Sequence, residues 1–193
     1  LFRSDAPHIV GRLTAFNVQM GKLESERVES LFDLTRERLL LNQGNILLTP
    51  GVIKLSGIVM GLDTLSKAPP SLSLSLQAEN VDINRLLSLA GVEPKRVQAS
   101  GTIATDEISL TGTPNELSTR FPFKIYLENA TIDDLPLTQA EATIAFHKSN
   151  VEITSLLLQL AQGRIEGSGA IGSDKRVALN LSAQSLEIGR AHV

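Results

Sequence analysis

The side chains that most often carry out chemistry in proteins are few in this chain and lie far apart. The chain has no cysteine, and its three histidines are His8, His147 and His192. A zinc site needs several nitrogen, sulfur or carboxylate ligands at close spacing. None of the histidines has such partners nearby in the sequence. The sequence therefore predicts no metal site, and each histidine is expected on the surface or on a strand face.

Adjacent acids and one serine between glycines are the remaining candidates for catalysis. The acids are Asp106-Glu107 and Asp133-Asp134. Neighbours in a strand point to opposite faces, and in a turn such pairs act as caps. The motif Gly167-Ser168-Gly169 lacks the strand-to-helix step of a serine nucleophile elbow, because strand-like residues continue on both sides. We interpret these glycines, and the one in Ser56-Gly57, as positions for bulges or close packing.

No cofactor is predicted either, because the glycines are dispersed among strand-like segments and form no phosphate-binding loop. The sequence thus offers no catalytic residues, and we predict that the protein is not an enzyme.

Charge and hydropathy narrow the class of partner. The 18 basic and 21 acidic residues give a net charge of −3 and are scattered along the chain. Nucleic-acid binding needs clustered Lys and Arg, so we predict no nucleic-acid partner. No stretch approaches the roughly 20 apolar residues of a membrane-spanning helix, and the first residues lack a signal pattern. We expect an internal fragment of a longer protein whose membrane anchor lies outside these residues.

Alternation of apolar and small polar residues dominates the chain. The alternation is clearest in residues 71–76, Ser-Leu-Ser-Leu-Ser-Leu, where every second side chain points to the same face of an extended strand. The charged stretch Leu23 to Leu34 is read as strand rather than helix. Short turn signals, such as Asn42 to Asn45, separate the segments. The sequence predicts a mainly β protein, a meander of half-exposed antiparallel strands.

The strand pattern repeats along the chain. Residues 74–85 align with 179–190 without a gap, and residues 50–57 align with 162–169. Such repetition indicates an extended stack of similar units rather than a compact enzyme core.

Two shorter copies extend the repeat. One consists of residues 107–112 followed by 123–132, and residues 13–18 resemble 76–81. We interpret 1–193 as a single fragment of a larger repeat protein, with approximate units 11–91, 97–137 and 138–193.

One segment has helical spacing instead. Its apolar residues lie at 83, 86, 87 and 90, Asp82 suits the N-cap, and Gly91 suits the stop. We predict one short helix near 83–90. It is either a lid packed over one end or flank of the sheet or a gate for lipid.

The strand pattern leaves open what the apolar faces of the strands contact. A long sheet with one apolar face must roll up, pair with another sheet or hold an apolar ligand. Aromatic residues make up 4% of the chain and Trp is absent, so the interior is mainly aliphatic. Such a lining suits sliding contacts with acyl chains. On composition alone, a dry sandwich core is favoured over a lipid groove.

Three features follow one another in the repeated unit: a strand ending in Gly, a Leu-alternating strand leading into an Ala-x-x-Val/Leu-Asp/Glu-Ile step, and the short helical segment 83–90. In this order they resemble the AsmA-like family, and most of all its TamB branch, over residues 11–190. The resemblance implies a repetitive antiparallel sheet curled into an elongated half-pipe, or β-taco, with an apolar groove.

The resemblance also implies a role, partners and a location. The role is movement of phospholipid between the inner and outer membranes, with a possible part in outer-membrane protein assembly. The implied partners are phospholipid acyl chains and an outer-membrane assembly partner such as a TamA-like barrel. The implied location is the periplasm, with the parent protein anchored in the inner membrane; a plastid intermembrane space is the alternative.

Carried onto this chain, the groove hypothesis assigns twelve apolar residues to the groove lining. They are Leu72, Leu74, Leu76, Ile108, Leu110, Phe123, Ile125, Leu127, Ile144, Phe146, Leu179 and Leu181. A rival hypothesis from another class is a chaperone or interaction module that captures client β-strands at its sheet edges. A third is a passive β-rich spacer.

Overall fold

Strands form where the sequence alternates, and they make up most of the described chain. The computed structural model describes residues 7–20, 23–62, 68–85, 99–132, 135–161, 163–174 and 176–185. The strands within these ranges are β1 (Ile9–Met20), β2 (Leu23–Leu34), β3 (Arg38–Leu47), β4 (Val52–Met60), β5 (Ser71–Glu79), β6 (Val81–Asp82), β7 (Ala99–Thr105), β8 (Ile108–Thr113), β9 (Glu116–Thr119), β10 (Phe123–Ile132), β11 (Leu135–His147), β12 (Asn150–Leu160), β13 (Gly163–Ile171) and β14 (Val177–Gln184). The prediction of a mainly β fold is confirmed, and the charged stretch from Leu23 is a strand.

All of these strands belong to one antiparallel sheet, which stays open and curls as the predicted half-pipe. The first arm of the sheet has the order β1-β2-β3-β4-β5-β8-β9. The second arm has the order β6-β7-β10-β11-β12-β13-β14. The arms join where His147 of β11 pairs with Ser118 of β9.

The connectivity is less local than a meander. β5 pairs with β8, and β7 pairs with β10, so the segment between β5 and β8 crosses from the first arm to the second. The simple meander is therefore wrong at this point. The division into three repeat units stays a prediction, and its boundary between 137 and 138 falls inside β11.

A bulge replaces one predicted turn. Residues 42–45 lie within β3, and the pairing of β3 with β4 shifts by one residue between Leu41 and Gly44. A bulge inserts one extra residue into a strand without ending it. It keeps Leu39 and Leu41 on the same side of the sheet as Ile46, although the sequence spacing between Leu41 and Ile46 is odd.

The repeat alignment has a structural counterpart in backbone conformation. Asn17, Asn80, Asn129 and Ser185 all have φ between 51° and 55°. They occupy equivalent positions in the four aligned copies. Asparagine tolerates this left-handed conformation better than most residues.

A glycine faces three of these left-handed residues. Gly51 lies opposite Asn80, and Gly163 lies opposite Ser185. Gly101 lies against Glu128 and Ala130, the residues on either side of Asn129. A Cβ atom on Gly51 would lie 2.4 Å from the carbonyl oxygen of Asn80, and one on Gly163 would lie 2.6 Å from that of Gln184. No larger residue fits at either glycine without backbone movement, which explains why 50–57 and 162–169 align.

The segment after β5 begins the predicted helix. Residues 83–85 are helical, and Asp82 Oδ1 accepts hydrogen bonds from the backbone N–H groups of Asn84 and Arg85 at 2.9 and 3.1 Å. This is the N-cap arrangement expected for Asp82. The rest of the predicted helix, 86–90, lies outside the described residues.

Few of the described side chains are fully buried. The main cluster consists of Leu48, Ala78 and Val81, and Ile46 and Ile53 pack against it. The chain exposes 13291 Å². A compact monomer of its 20.8 kDa would expose about 9,000 Å². The excess agrees with a curled open sheet.

Candidate functional site

The candidate site is one face of the sheet, and strand pairing defines its members. Residues directly opposite each other in an antiparallel pair have side chains on the same side. In the first arm, successive pairs link Leu72, Val59, Leu39, Leu34 and Ile9 in one row across five strands. The row is apolar throughout.

Rows of the same kind cross the second arm. Successive pairs link Ile125, Ala142, Leu156, Gly167 and Leu181 from β10 to β14. Apolar and small residues alternate along this row, and no charged residue interrupts it.

The two arms present these rows on the same side. At the junction, Ser118 and His147 pair on the opposite, polar side. Their neighbours Thr119 and Phe146 therefore share the apolar side, where the backbone N–H of Phe146 donates to Thr119 Oγ1 at 3.0 Å. The apolar rows thus form one continuous surface from β1 to β14.

We call this surface the apolar face. Its principal apolar members are Ile9, Leu13, Val28, Phe32, Leu34, Leu39, Leu41, Ile46, Ile53, Leu55, Val59, Leu72, Leu74, Leu76, Ile103, Ile108, Leu110, Phe123, Ile125, Leu127, Ile144, Phe146, Val151, Ile153, Leu156, Leu158, Ile165, Ile171, Val177, Leu179 and Leu181.

All twelve residues of the predicted lining lie on the apolar face. Ile108 and Phe123 are buried, at 9% and 3% exposure, whereas Leu179 and Leu181 are 49% and 53% exposed. The other eight are partly buried. The Phe123 and Phe146 rings lie 5.6 Å apart, a distance typical of packed aromatic pairs. Most of the predicted lining is therefore neither sealed in a dry core nor fully exposed.

The sequence reasoning missed the members contributed by β1, β2, β3, β4, β7, β12 and β13. In β3 the bulge breaks the period-two signal. In β12, Leu156, Leu157 and Leu158 are consecutive, so alternation alone cannot assign a face; pairing places Leu157 opposite Glu141 and Glu166, on the polar side. The contribution of Phe32 in β2 was hidden by the charges around it.

Glycines flatten the apolar face. A Cβ on Gly57 would lie 2.9 Å from Leu74 Cδ2, and a Cβ on Gly169 would lie 2.6 Å from Leu179 Cδ2. The Phe32 ring covers Gly11 in the same way. Each large side chain thus lies across a glycine of the next strand. The predicted close-packing role of Gly57 and Gly169 is confirmed.

The opposite side of the sheet carries the charged residues. Lys54 Nζ lies 2.5 Å from Glu79 Oε1, and Lys124, Arg164 and Lys148 also have carboxylate neighbours. These groups are partly or largely exposed, and exposed ion pairs contribute little to stability. The charged side of the sheet is therefore hydrated, and only the opposite side, the apolar face, is available for apolar contacts.

The apolar face includes a small buried cluster around Val81. Val81 is fully buried and packs with Leu48 and Ala78, where rows of both arms converge. Arg85 Nη1, in the helical turn that follows, donates to the backbone carbonyl of Glu24 at 3.1 Å. This contact joins the turn to the start of β2. Residues 86–90 of the predicted helix lie outside the described residues, so the choice between a lid and a lipid gate stays a prediction.

The candidate acids of the sequence have separate partners. Asp106 Oδ1 accepts a hydrogen bond from the Tyr126 hydroxyl at 3.3 Å, and Glu107 Oε1 accepts one from Ser75. Burial, and next the negative charge of Asp106, raise the pKa of Tyr126 above its ordinary value of 10.0. The pair Asp133-Asp134 lies outside the described residues.

The histidines form no cluster in the described chain. His8 Nε2 lies 2.9 Å from Asp33 Oδ1 on an exposed surface, His147 is exposed, and His192 lies outside the described residues. In that same part of the chain, no three His, Asp or Glu side chains are grouped to hold a metal ion. It also contains no helix of the length and hydropathy required to cross a bilayer.

Comparison with protein-family models, with curated proteins and with solved structures gives no match to this chain.

Proposed function

We propose that this chain is a non-enzymatic lipid-binding segment of a periplasmic bridge that moves phospholipid between the inner and outer membranes. The observation that carries the proposal is the continuous apolar face, which is mainly aliphatic, partly buried over its central strands and exposed on β1 and β14. Monomeric proteins rarely leave apolar surface of this extent uncovered without a ligand or partner. The AsmA-like pattern of the repeats supports the periplasmic setting and the assembly role with a TamA-like partner.

The chemistry of the face suits acyl chains. Leu, Ile and Val side chains offer dispersion contacts and no hydrogen-bond donors, so a methylene chain can bind in many equivalent positions. The glycines under Phe32, Leu74 and Leu179 keep the surface smooth along the strands. Such a surface holds a chain without fixing it, which transfer requires.

The proposal is tested by placing a charge on the apolar face. Leu74→Asp puts a carboxylate where acyl chains would lie, and desolvating that carboxylate is costly. We expect the purified variant to retain about tenfold less phospholipid than the unmodified chain. The readout is native mass spectrometry with lipid extraction, beside an unrelated β-sandwich purified in parallel.

Ser73→Asp is the matched control, since Ser73 is adjacent in β5 but on the polar side. It should retain the lipid of the unmodified chain. Circular dichroism checks that each variant folds, and Leu179→Asp replaces Leu74→Asp if the latter unfolds, because Leu179 is 49% exposed. Normal lipid retention by folded Leu74→Asp, or no lipid on the unmodified chain, refutes the proposal.

The second candidate is capture of client β-strands, as in a chaperone. One observation favours it: among the described residues, the outer strands β1 and β14 each pair on one side only, and they leave Ile9, Leu13, Val177 and Leu179 49–59% exposed. A client strand would add to such an edge by main-chain hydrogen bonds. Cross-linking of an unfolded outer-membrane precursor to edge positions, by a chain free of lipid, would favour this function. A passive spacer would bind neither.

A further inference from the structure

A polar cavity lies on the charged side of the sheet, opposite the apolar face. Its volume is about 470 Å³, within the range of about 300–1,000 Å³ that is typical of ligand sites. Eight of its ten described lining residues have polar side chains. The cavity spans β3, β4 and β5 and reaches the start of β8, and each of these strands is paired on both sides. It therefore belongs to the middle of the sheet and not to an edge.

The bulge in β3 builds one wall of the polar cavity. Asn42 and Gln43 together lie opposite Ser56, because the register with β4 shifts by one residue between Leu41 and Gly44. Both amide residues line the cavity. Bulges often re-aim side chains beside functional sites. The sequence Asn-Gln-Gly-Asn, which suits a turn, here gathers amides on one surface of a strand.

Strand register adds two more amides to the polar cavity. Asn45 pairs with Lys54, and Lys54 pairs with Gln77, so the three side chains share one row on the charged side. Ser56 and Ser75 pair in the next row. One cavity thus combines four amide side chains with two hydroxyl groups.

The two charged residues of the lining already have partners. Lys54 Nζ lies 2.5 Å from Glu79 Oε1, and Glu107 Oε1 accepts a hydrogen bond from Ser75. The four amides form no side-chain hydrogen bond within the described part of the chain. The groups left for a ligand are therefore neutral, and each amide offers both donors and an acceptor.

We propose that the polar cavity binds a neutral sugar of a soluble glycan. Each hydroxyl of a sugar ring both donates and accepts hydrogen bonds, as the four amides do. A nucleobase would need an aromatic side chain to stack on, and the described lining has none. A peptide strand would need an unpaired sheet edge, whereas both edges of β3, β4 and β5 are paired. The sheet separates the cavity from the apolar face, so the sugar of a lipid bound there would not reach it.

Nuclear magnetic resonance of the nitrogen-labelled 193-residue chain tests the proposal, because side-chain amides of Asn and Gln give signals of their own. The probes are maltose, cellobiose and N,N′-diacetylchitobiose, which are neutral disaccharides. We expect at least one of them to shift the amide signals of Gln43 and Asn45. The dissociation constant should be about 1 mM, since no aromatic ring adds to the hydrogen bonds.

Gln43→Ala combined with Asn45→Ala removes two of the amides. We expect the dissociation constant of the bound disaccharide to rise at least about tenfold, because each lost hydrogen bond weakens binding. Gln139→Ala is the matched control, since Gln139 is an exposed amide of β11 outside the cavity. It should leave the constant unchanged, and circular dichroism checks that each variant folds.

Deletion of Asn42 tests the role of the bulge. Without this extra residue, β3 pairs in regular register with both β2 and β4, and Leu41 and Ile46 stay on the apolar face. The fold is thus retained while one wall of the cavity changes. We expect the disaccharide to bind at least about tenfold more weakly.

Inorganic phosphate and N-acetylglycinamide are the comparison probes, one for a charged ligand and one for a peptide. Tighter binding of either probe than of every disaccharide would overturn the proposal. So would the absence of any shift at about 20 mM disaccharide, or unchanged binding in the double variant or after deletion of Asn42. These titrations contain no lipid, so their results are independent of the proposed function.

Discussion

At the scale of single residues, Tyr126 is the clearest reporter of its surroundings. It is the chain's one tyrosine, and there is no tryptophan. Its hydroxyl donates to Asp106, and partial burial, followed by the charge of that carboxylate, raises its pKa above 10.0. The folded state thus favours the neutral phenol. The stability contributed by this preference is present below about pH 10 and is lost as the pH rises through the raised pKa.

Removing the charge of Asp106 should lower the pKa of Tyr126. In Asp106→Asn we expect the pKa of the phenol to fall toward 10.0, because the carboxylate that opposes phenolate formation is gone. Absorbance at a wavelength specific to phenolate follows this single group. Glu107→Gln is the control and should leave the titration unchanged, since Glu107 bonds to Ser75 instead. Equal shifts in both variants would contradict the assignment.

The alternation of apolar and polar residues in β5 predicted which of its side chains lie on the apolar side of the sheet. Leu72, Leu74 and Leu76 were assigned to one face from alternation alone, and pairing places them there. The partners of Asp106 and Glu107 were not predictable, because Tyr126 and Ser75 lie 20 and 32 residues away in the sequence. Alternation specifies a face, whereas a partner depends on which strands become neighbours.

At the scale of elements, the hairpins share one feature: a glycine lies opposite a residue with a left-handed backbone conformation. Alignment of the sequence indicated the copies, but not why Gly51 and Gly163 recur. The carbonyl oxygens of Asn80 and Gln184 occupy the space that a Cβ would need. The bulge in β3 escaped prediction for a related reason, since Asn and Gly favour turns and bulges alike.

Gly51→Ala should destabilise the β4–β5 hairpin strongly. Gly51 has φ of 107°, and a Cβ there would lie 2.4 Å from backbone oxygen. We expect the free energy of unfolding to fall by about 3 kcal/mol, measured by urea denaturation. Gly61→Ala is the matched control: φ is 78°, but the nearest atom lies 3.6 Å away, so the cost should be about 1 kcal/mol. A larger loss of unfolding free energy in Gly61→Ala than in Gly51→Ala would contradict the steric role assigned to Gly51.

At the scale of the whole molecule, the described residues of the two arms meet at the β9–β11 junction and around Val81. The junction has the pair His147–Ser118 and the ion pair Lys148–Glu116. Around Val81, the backbone N–H of Ala78 also donates to Thr105 Oγ1 at 2.9 Å. The half-pipe was expected from the resemblance, but the crossing between β5 and β8 was not. Turn signals predict that the chain reverses and do not predict which strand it then joins.

Val81→Ala should therefore weaken the whole sheet. Val81 is fully buried between the arms, and its truncation removes buried methyl groups and leaves a cavity, at a cost of about 2 kcal/mol. Val10→Ala, at 69% exposure, should change stability by less than about 0.5 kcal/mol. Urea denaturation of both variants gives the comparison, and equal losses would argue against a junction at Val81.

The half-exposed apolar face also sets how stability responds to temperature. Unfolding a protein raises its heat capacity mainly because buried apolar surface becomes hydrated. In this sheet much of that surface is already hydrated in the native state, so less new hydration accompanies unfolding. The stability curve is correspondingly broad and shallow, and cold weakens the fold less than it weakens a sealed core. A ligand or partner that covers the apolar face would make the stability curve narrower and more strongly curved.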